Sequence, residues 1–173
     1  MSILRLASEL TFDSIVDGEG LRCVLWLQGC HHACIGCHNP VTHQLDGGFL
    51  KDSEELFQEF IQNPLQDGLT ISGGEPFLQA KQLLSLAKKV QEAKKSVWIY
   101  TGYTIEQLTD PSHPTYEDNM RLLAYCNVLI DGRYIQEQRN TLLPFRGSAN
   151  QRIIDITQSI WLNTWVAWTP KHK

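Results

Sequence analysis

The chain has 173 residues, 42% hydrophobic and 20% charged, with a formal net charge of −4; that length holds one domain with a real core, and the acidic balance argues against broad binding to a nucleic-acid phosphate backbone. No apolar run approaches the roughly 20 residues of a membrane span, and the N-terminal stretch carries Glu9, Asp13 and Asp17 where a secretory leader would be apolar. A cytoplasmic location is expected, where thiols stay reduced, and five cysteines suit a disulfide framework poorly.

LRCVLWLQ (21–28) is apolar and β-prone and reads as a buried strand. Residues 29–50, rich in Gly, His, Pro and Asn, read as loop. A helix follows Asp52, with Glu55 completing a capping box and Leu56, Phe57, Phe60 and Ile61 on one face; Pro64 marks its stop. LTIS (69–72) reads as a short strand ending in GGEP, and residues 77–95 as an amphipathic helix. SVWIY (96–100) is a strand ending in TGY, 115–126 is helical, and NVLID (127–131) is a strand ending in DGRY. QRIIDI (151–156) reads as a last strand. Residues 157–173 form a Trp-rich tail and no separate domain; Trp161, Trp165 and Trp168 fall at i, i+4 and i+7 and would make one aromatic stripe if helical.

Alternating strands and helices predict an α/β fold over residues 1–156 with a mainly parallel sheet. The chain is too short for a closed eight-stranded barrel of about 250 residues, so a partial, open (βα) barrel is expected. Polar or Gly-rich sequence follows nearly every strand: GCHHAC, SGGEP, TGY and DGRY. Parallel α/β sheets bind ligands at that edge.

Cys30, Cys34 and Cys37 make C-x3-C-x2-C, a loop that can wrap an inorganic centre. Structural zinc takes four ligands, which would need His31, His32, His38 or His43 as the fourth. A ferredoxin-type cluster takes four cysteines, which would recruit Cys23 or Cys126 at a spacing unlike a ferredoxin. The third option is a [4Fe–4S] cluster with three protein ligands and one open iron. The first two amount to a metal- or cluster-stabilised interaction module, the third to an enzyme. Cys23 and Cys126 otherwise read as ordinary buried thiols.

Taken with SGGEP after the second strand, C-x3-C-x2-C resembles the radical S-adenosylmethionine (SAM) superfamily. DGEGLRCVLWLQGCHHACIGCHN is similar to its glycyl-radical-enzyme activases, through G-x-G-x-R, Gly-Cys and the Asn that follows the third cysteine. TGY, NVLIDG and FRGSANQ resemble the branch that activates anaerobic (class III) ribonucleotide reductase. Activases of other glycyl radical enzymes and small-molecule radical SAM enzymes are neighbouring alternatives. Gly36 stands where many superfamily members carry an aromatic residue.

The resemblance implies a radical-SAM partial barrel and a [4Fe–4S] cluster on Cys30, Cys34 and Cys37, with SAM on the open iron. It implies reductive cleavage of SAM and transfer of the radical to a glycine of a partner reductase, with a donor such as flavodoxin or ferredoxin. No acid–base catalyst is implied. On this view Ser72, Gly73 and Gly74 bring backbone close to SAM and Glu75 faces its ammonium group. Asp131 and Arg133 hold its carboxylate side, Thr101 and Gly102 line the same edge, and Asn39 orders the loop or meets the adenosyl group. Arg22 belongs to the activase pattern, and the 146–151 motif touches SAM or the partner. The histidines beside the cysteines serve loop structure or electron entry.

Overall fold

The structure is a computed structural model, and it describes residues 2–170. Strands β1 (Ile3–Leu6), β2 (Thr11–Ser14) and β3 (Arg22–Leu27) open the chain. β4 (Phe49–Asp52) leads directly into α1 (Ser53–Gln62), then β5 (Gly68–Gly73), α2 (Ala80–Glu92) and β6 (Ser96–Tyr100). Two further helices, α3 (Ile105–Leu108) and α4 (Tyr116–Leu123), precede β7 (Val128–Asp131); β8 (Arg152–Asp155) and α5 (Ile156–Leu162) complete it.

One eight-stranded sheet runs in the order β4-β1-β3-β5-β6-β7-β8, with β2 also paired to β3. The central strands β3, β5, β6 and β7 are parallel. β1, β2, β4 and β8 join antiparallel at the flanks. β4 and β8 lie at opposite ends of this order, so the sheet stays open, as a partial barrel requires.

Leu25, Leu27, Leu69, Ile71, Val97, Ile99 and Leu129 point to one face and pack against Leu56, Phe60, Leu83, Leu86 and Val90 of α1 and α2. Alternation along a strand sends the intervening residues to the concave face. There Trp98, Val128 and Ile130 form a second cluster with Tyr100, Phe145 and Trp168. The helices form for local reasons. Leu83, Leu86, Ala87 and Val90 recur at helical spacing along α2, and the chain leaves that helix through Lys94 at φ 61°. Asp52 caps α1 by accepting from the Glu54 amide at 2.8 Å. The reciprocal capping box expected there with Glu55 occurs instead at α3, between Thr104 and Gln107.

The tail departs from a single stripe. α5 stops at Leu162 because Asn163 takes the left-handed conformation, φ 51°. The chain then folds back along β8: the Asp155 amide donates to Val166 and the Trp168 amide to Ile153, both at 2.9 Å. Trp168 packs edge-on against Trp98 and Phe145, with ring centroids 5.2 and 5.8 Å away. Trp161 instead is 83% exposed. Among the described residues no helix is long and apolar enough to cross a membrane.

Candidate functional site: a thiol-lined cavity at the strand ends

The cysteine loop leaves β3 through Gln28 and Gly29. The Gln28 side chain is buried and donates to the carbonyls of Val41 (3.1 Å) and Gln44 (2.6 Å), pinning the far side of the loop. Gly29 (φ 98°), Ala33 (φ 49°) and Gly36 (φ 72°) all take left-handed backbone, which curls the segment tightly. At Gly36 the nearest neighbour of a Cβ would be the exposed Gln136 side chain, so its backbone conformation is the constraint there. The Cys37 amide donates to Cys34 O at 3.2 Å and the Asn39 amide approaches Cys37 Sγ at 3.4 Å.

Cys30, Cys34 and Cys37 open into a cavity of about 160 Å³ that Asn39, Ser72, Gly73, Gly74, Glu75, Thr101 and Gly102 also line. Ten of the twelve residues expected at the site therefore share one cavity, the three cysteines among them. Asp131 and Arg133 are not in its lining, although Gly132 between them is. The Asp131 carboxylate is 1% exposed and already committed. It accepts from Arg152 at 2.9 and 2.5 Å and from the Ile105 amide at 2.8 Å, capping α3. Arg133 is exposed. The geometry thus gives Asp131 a structural role.

The glycines also have a different first reason from the expected one. A Cβ on Gly73 would stand 2.5 Å from the Leu27 amide nitrogen, and one on Gly74 2.8 Å from the Gly29 carbonyl carbon. Backbone of β3 and of Gly29 just after it fills the space a side chain would need. Hydrogen bonds from the Gly74 amide to Leu27 O (2.7 Å) and from the Glu75 amide to Gly29 O (2.8 Å) lock the GGEP turn onto the start of the cysteine loop.

Glu75 is 1% exposed and fully hydrogen-bonded. Its Oε1 accepts from the Phe77 amide and the Thr101 hydroxyl, its Oε2 from the Gly102 amide and His32. His32 is the partner that the motifs did not reveal. Tyr100, Tyr134, His38, His43 and Gln151 also line the cavity. DGRY and FRGSANQ contained two of these, Tyr134 and Gln151, but their strand-end position was the only signal. His31 Nε2 and the Tyr103 hydroxyl are 2.8 Å apart on the exposed side.

The donor set fits an iron–sulfur cluster. Burial raises the Cys30 thiol pKa, and the nearby charges of Glu75, Cys34 and Cys37 add to it; a bound cationic centre would offset both. His32 Nδ1 and His43 Nε2 are buried without a protein partner beside the thiols. Among the described residues no three His, Cys, Asp or Glu side chains are grouped as ligands of one ion. A larger cavity of about 620 Å³ lies at the other end of the strands, beside Asp67, Ser96 and Asp155, and contains none of the thiols.

Comparison with known proteins agrees with this geometry. The family described as "4Fe-4S single cluster domain" matches residues 16–154. The anaerobic ribonucleoside-triphosphate reductase-activating protein of Haemophilus influenzae is 38% identical over 149 residues, covering 80% of this chain and 90% of that protein. Its namesake from Vibrio cholerae is 39% identical over 150 residues, with the same coverage. The namesake from Escherichia coli K12 is 32% identical over 148 residues, covering 79% and 90%. The crystal structure of QueE from Escherichia coli superposes with a TM-score of 0.50 at 20% identity, over 59% of this chain and 53% of that one, a likeness of fold. The thiol loop, the strand-end cavity and these relatives converge: the chain belongs to the family of anaerobic ribonucleoside-triphosphate reductase-activating proteins, with a 4Fe-4S cluster domain.

Proposed function

We propose that this chain is a radical SAM activating enzyme, working in the cytoplasm, that places a glycyl radical on an anaerobic ribonucleotide reductase. The observation that carries the reading is the meeting of Cys30, Cys34 and Cys37 with the Ser72–Glu75 edge in one cavity at the C-terminal ends of the parallel strands. When bound and reduced by a donor such as flavodoxin or ferredoxin, a [4Fe–4S] cluster supplies the electron that splits SAM to methionine and a 5′-deoxyadenosyl radical, which takes a hydrogen atom from the partner's glycine.

The chain's own residues provide the setting. Cys30, Cys34 and Cys37 would hold the cluster, and because the loop offers only these three thiols, one iron would be left for SAM. The Asn39 amide, 3.4 Å from Cys37 Sγ, stabilises that thiolate. Ser72, Gly73 and Gly74 present backbone to the cofactor, and Glu75 sets a buried negative charge at the wall facing its ammonium group. Thr101 holds Glu75 at 2.8 Å. Arg133, exposed beside Gly132, is the cation available to the carboxylate.

The test is electron paramagnetic resonance on the anaerobically reconstituted, reduced protein, with and without SAM. A [4Fe–4S]+ signal that shifts on adding SAM, followed by a glycyl doublet when anaerobic reductase is added, is the expected result. A signal indifferent to SAM would refute the reading.

A further inference from the structure

The Glu75 carboxylate has two donors on each oxygen. Oε1 accepts from the Phe77 amide at 3.0 Å and the Thr101 hydroxyl at 2.8 Å. Oε2 accepts from the Gly102 amide at 2.9 Å and stands 2.8 Å from His32 Nε2. An ionised carboxylate offers about four lone-pair sites and no proton, so Nε2 carries the hydrogen and the acceptor is filled. With its lone pairs occupied, Glu75 acts at the cavity wall as a fixed negative charge rather than a mobile hook. A preorganised charge is worth more than a mobile one because it does not reorient when the ligand arrives.

Three of the four donors sit on or just after the ends of β5 and β6. The Phe77 and Gly102 amides are main chain, and the Thr101 hydroxyl is itself held by the Tyr103 amide at 3.1 Å. His32 is different, because it belongs to the cysteine loop, midway between Cys30 and Cys34. Its ring is clamped by packing. A Cβ on Gly102 would stand 2.5 Å from His32 Cδ2, and Tyr103 lies edge-on with its centroid 4.7 Å away. Nδ1 is buried without a protein partner. The bond to Glu75 is therefore where a side chain of the cysteine loop and the two strand ends share one carboxylate.

We infer that His32 is a positioning residue for the SAM site: its Nε2–H fixes the Glu75 carboxylate, so that the seating of the cysteine loop and the aim of that charge are set together. The inference rests on the reading of this cavity as a SAM site.

His32→Phe keeps a ring against Gly102 and Tyr103 and removes the N–H. His32→Gln returns an N–H to the place of Nε2. These two, Glu75→Gln and the double variant His32→Phe/Glu75→Gln are compared with wild type after anaerobic reconstitution. The readouts are iron per chain, thermal unfolding, and the SAM dissociation constant from titration of the reduced-cluster resonance signal. His32→Phe is expected to retain the wild-type iron content and to bind SAM about 10- to 100-fold more weakly, the range for a hydrogen bond to a charged group. His32→Gln recovers most of that affinity. In the Glu75→Gln background, His32→Phe adds less than about threefold, the non-additivity of two residues acting as a unit.

Wild-type affinity in His32→Phe, or fully additive losses in the double variant, overturns the inference. Equal loss of iron in the Phe and Gln variants assigns His32 to cluster assembly alone and overturns it too. A wild-type signal unmoved by SAM defeats the underlying reading, and the inference with it; that failure is distinguishable because it appears before any substitution is made.

Discussion

Gly74→Ala tests whether the GGEP turn is shaped first by the backbone beneath it. The φ of Gly74 lies outside the left-handed region, so alanine meets no dihedral penalty there. The obstacle is contact. A methyl on Gly74 would stand 2.8 Å from the Gly29 carbonyl carbon and 3.0 Å from its amide nitrogen, whereas carbon atoms pack at about 3.5–4.0 Å. These are main-chain atoms, held by the hydrogen bond from the Glu75 amide to Gly29 O at 2.8 Å. Relief requires the turn and the cysteine loop to part, which strains the packing by about 1–3 kcal/mol and weakens a hydrogen bond worth about 1 kcal/mol. The sum, about 2–4 kcal/mol, lowers Tm by roughly 5–15 °C in a chain of this length. Circular dichroism of the cluster-free protein measures it, and iron uptake on reconstitution should fall in parallel. Gly132→Ala is the control: its nearest atom would be 3.6 Å away, so only its φ of 97° opposes a side chain. If Gly74→Ala melts within about 2 °C of wild type, or higher than Gly132→Ala, the backbone-contact argument is wrong.

Alkylation of the cluster-free protein should separate two classes of thiol. Cys30, Cys34 and Cys37 are partly exposed and react in the native state, while Cys23 and Cys126 are buried and react only on unfolding; burial also pushes the Cys23 thiol up to about 12. Mass spectrometry that finds all five modified at one rate would contradict the structure. Arg152→Met leaves the Asp131 carboxylate, 1% exposed, without its charge partner, and should destabilise the neutral-pH protein by about 3–5 kcal/mol in urea unfolding. The same guanidinium holds Glu106 down at about 2 against an ordinary 4.5. That contribution is complete above pH 4.5 and disappears as pH falls toward about 2; it is small because the Glu106 side chain is 53% exposed. Wild type should therefore lose some stability across that window that Arg152→Met does not, and parallel acid profiles would remove Glu106 from the account. Trp168→Ala should lower stability by about 1–2 kcal/mol through lost packing on Trp98 and Phe145. Trp161→Ala, at an 83% exposed position, should stay within about 0.5 kcal/mol; the reverse order in thermal melts would mean that the tail does not fold back along β8.

The parallel centre of the sheet was legible because each of its strands is an apolar run ending in Gly-rich sequence and followed by a helix or an ordered turn. Of the flanking strands only β8 was, as QRIIDI; the N-terminal ones were not. Ile3–Leu6 and Phe49–Asp52 are four residues each, too short to show a period of two, and their strand character comes from pairing with each other across more than forty residues. The tryptophan spacing misled because a helical period says nothing about where a helix stops, and Asn163 ends α5 between Trp161 and Trp165. Asp131 was ambiguous for a related reason. A strand-end aspartate reads the same whether it faces a ligand or caps a helix, and the cap here is on α3, earlier in the chain, with Arg152 brought alongside by the β7–β8 pairing.

Arg22 shows what membership in a motif does and does not imply. It belongs to the same stretch of pattern as the cysteines, yet it lies at the start of β3, at the opposite end of that strand from the loop that carries them. It is fully buried, and its guanidinium donates to the Thr70 and Ser96 hydroxyls and to the carbonyls of Leu69 and Ser96. Its carbon lies 5.6 Å from the centre of the Trp98 ring. Burial lowers its pKa to about 10, still well above neutrality. These contacts tie β3, β5 and β6 together at their N-terminal ends. The opposite ends of the same strands carry the cysteine loop, the GGEP turn and Thr101. Because β3 and β5 pair residue for residue from Arg22–Gly68 to Leu27–Gly73, a slip at the Arg22 end would shift the Gly29–Gly74 contact at the other by a residue. The arginine serves the site by holding register.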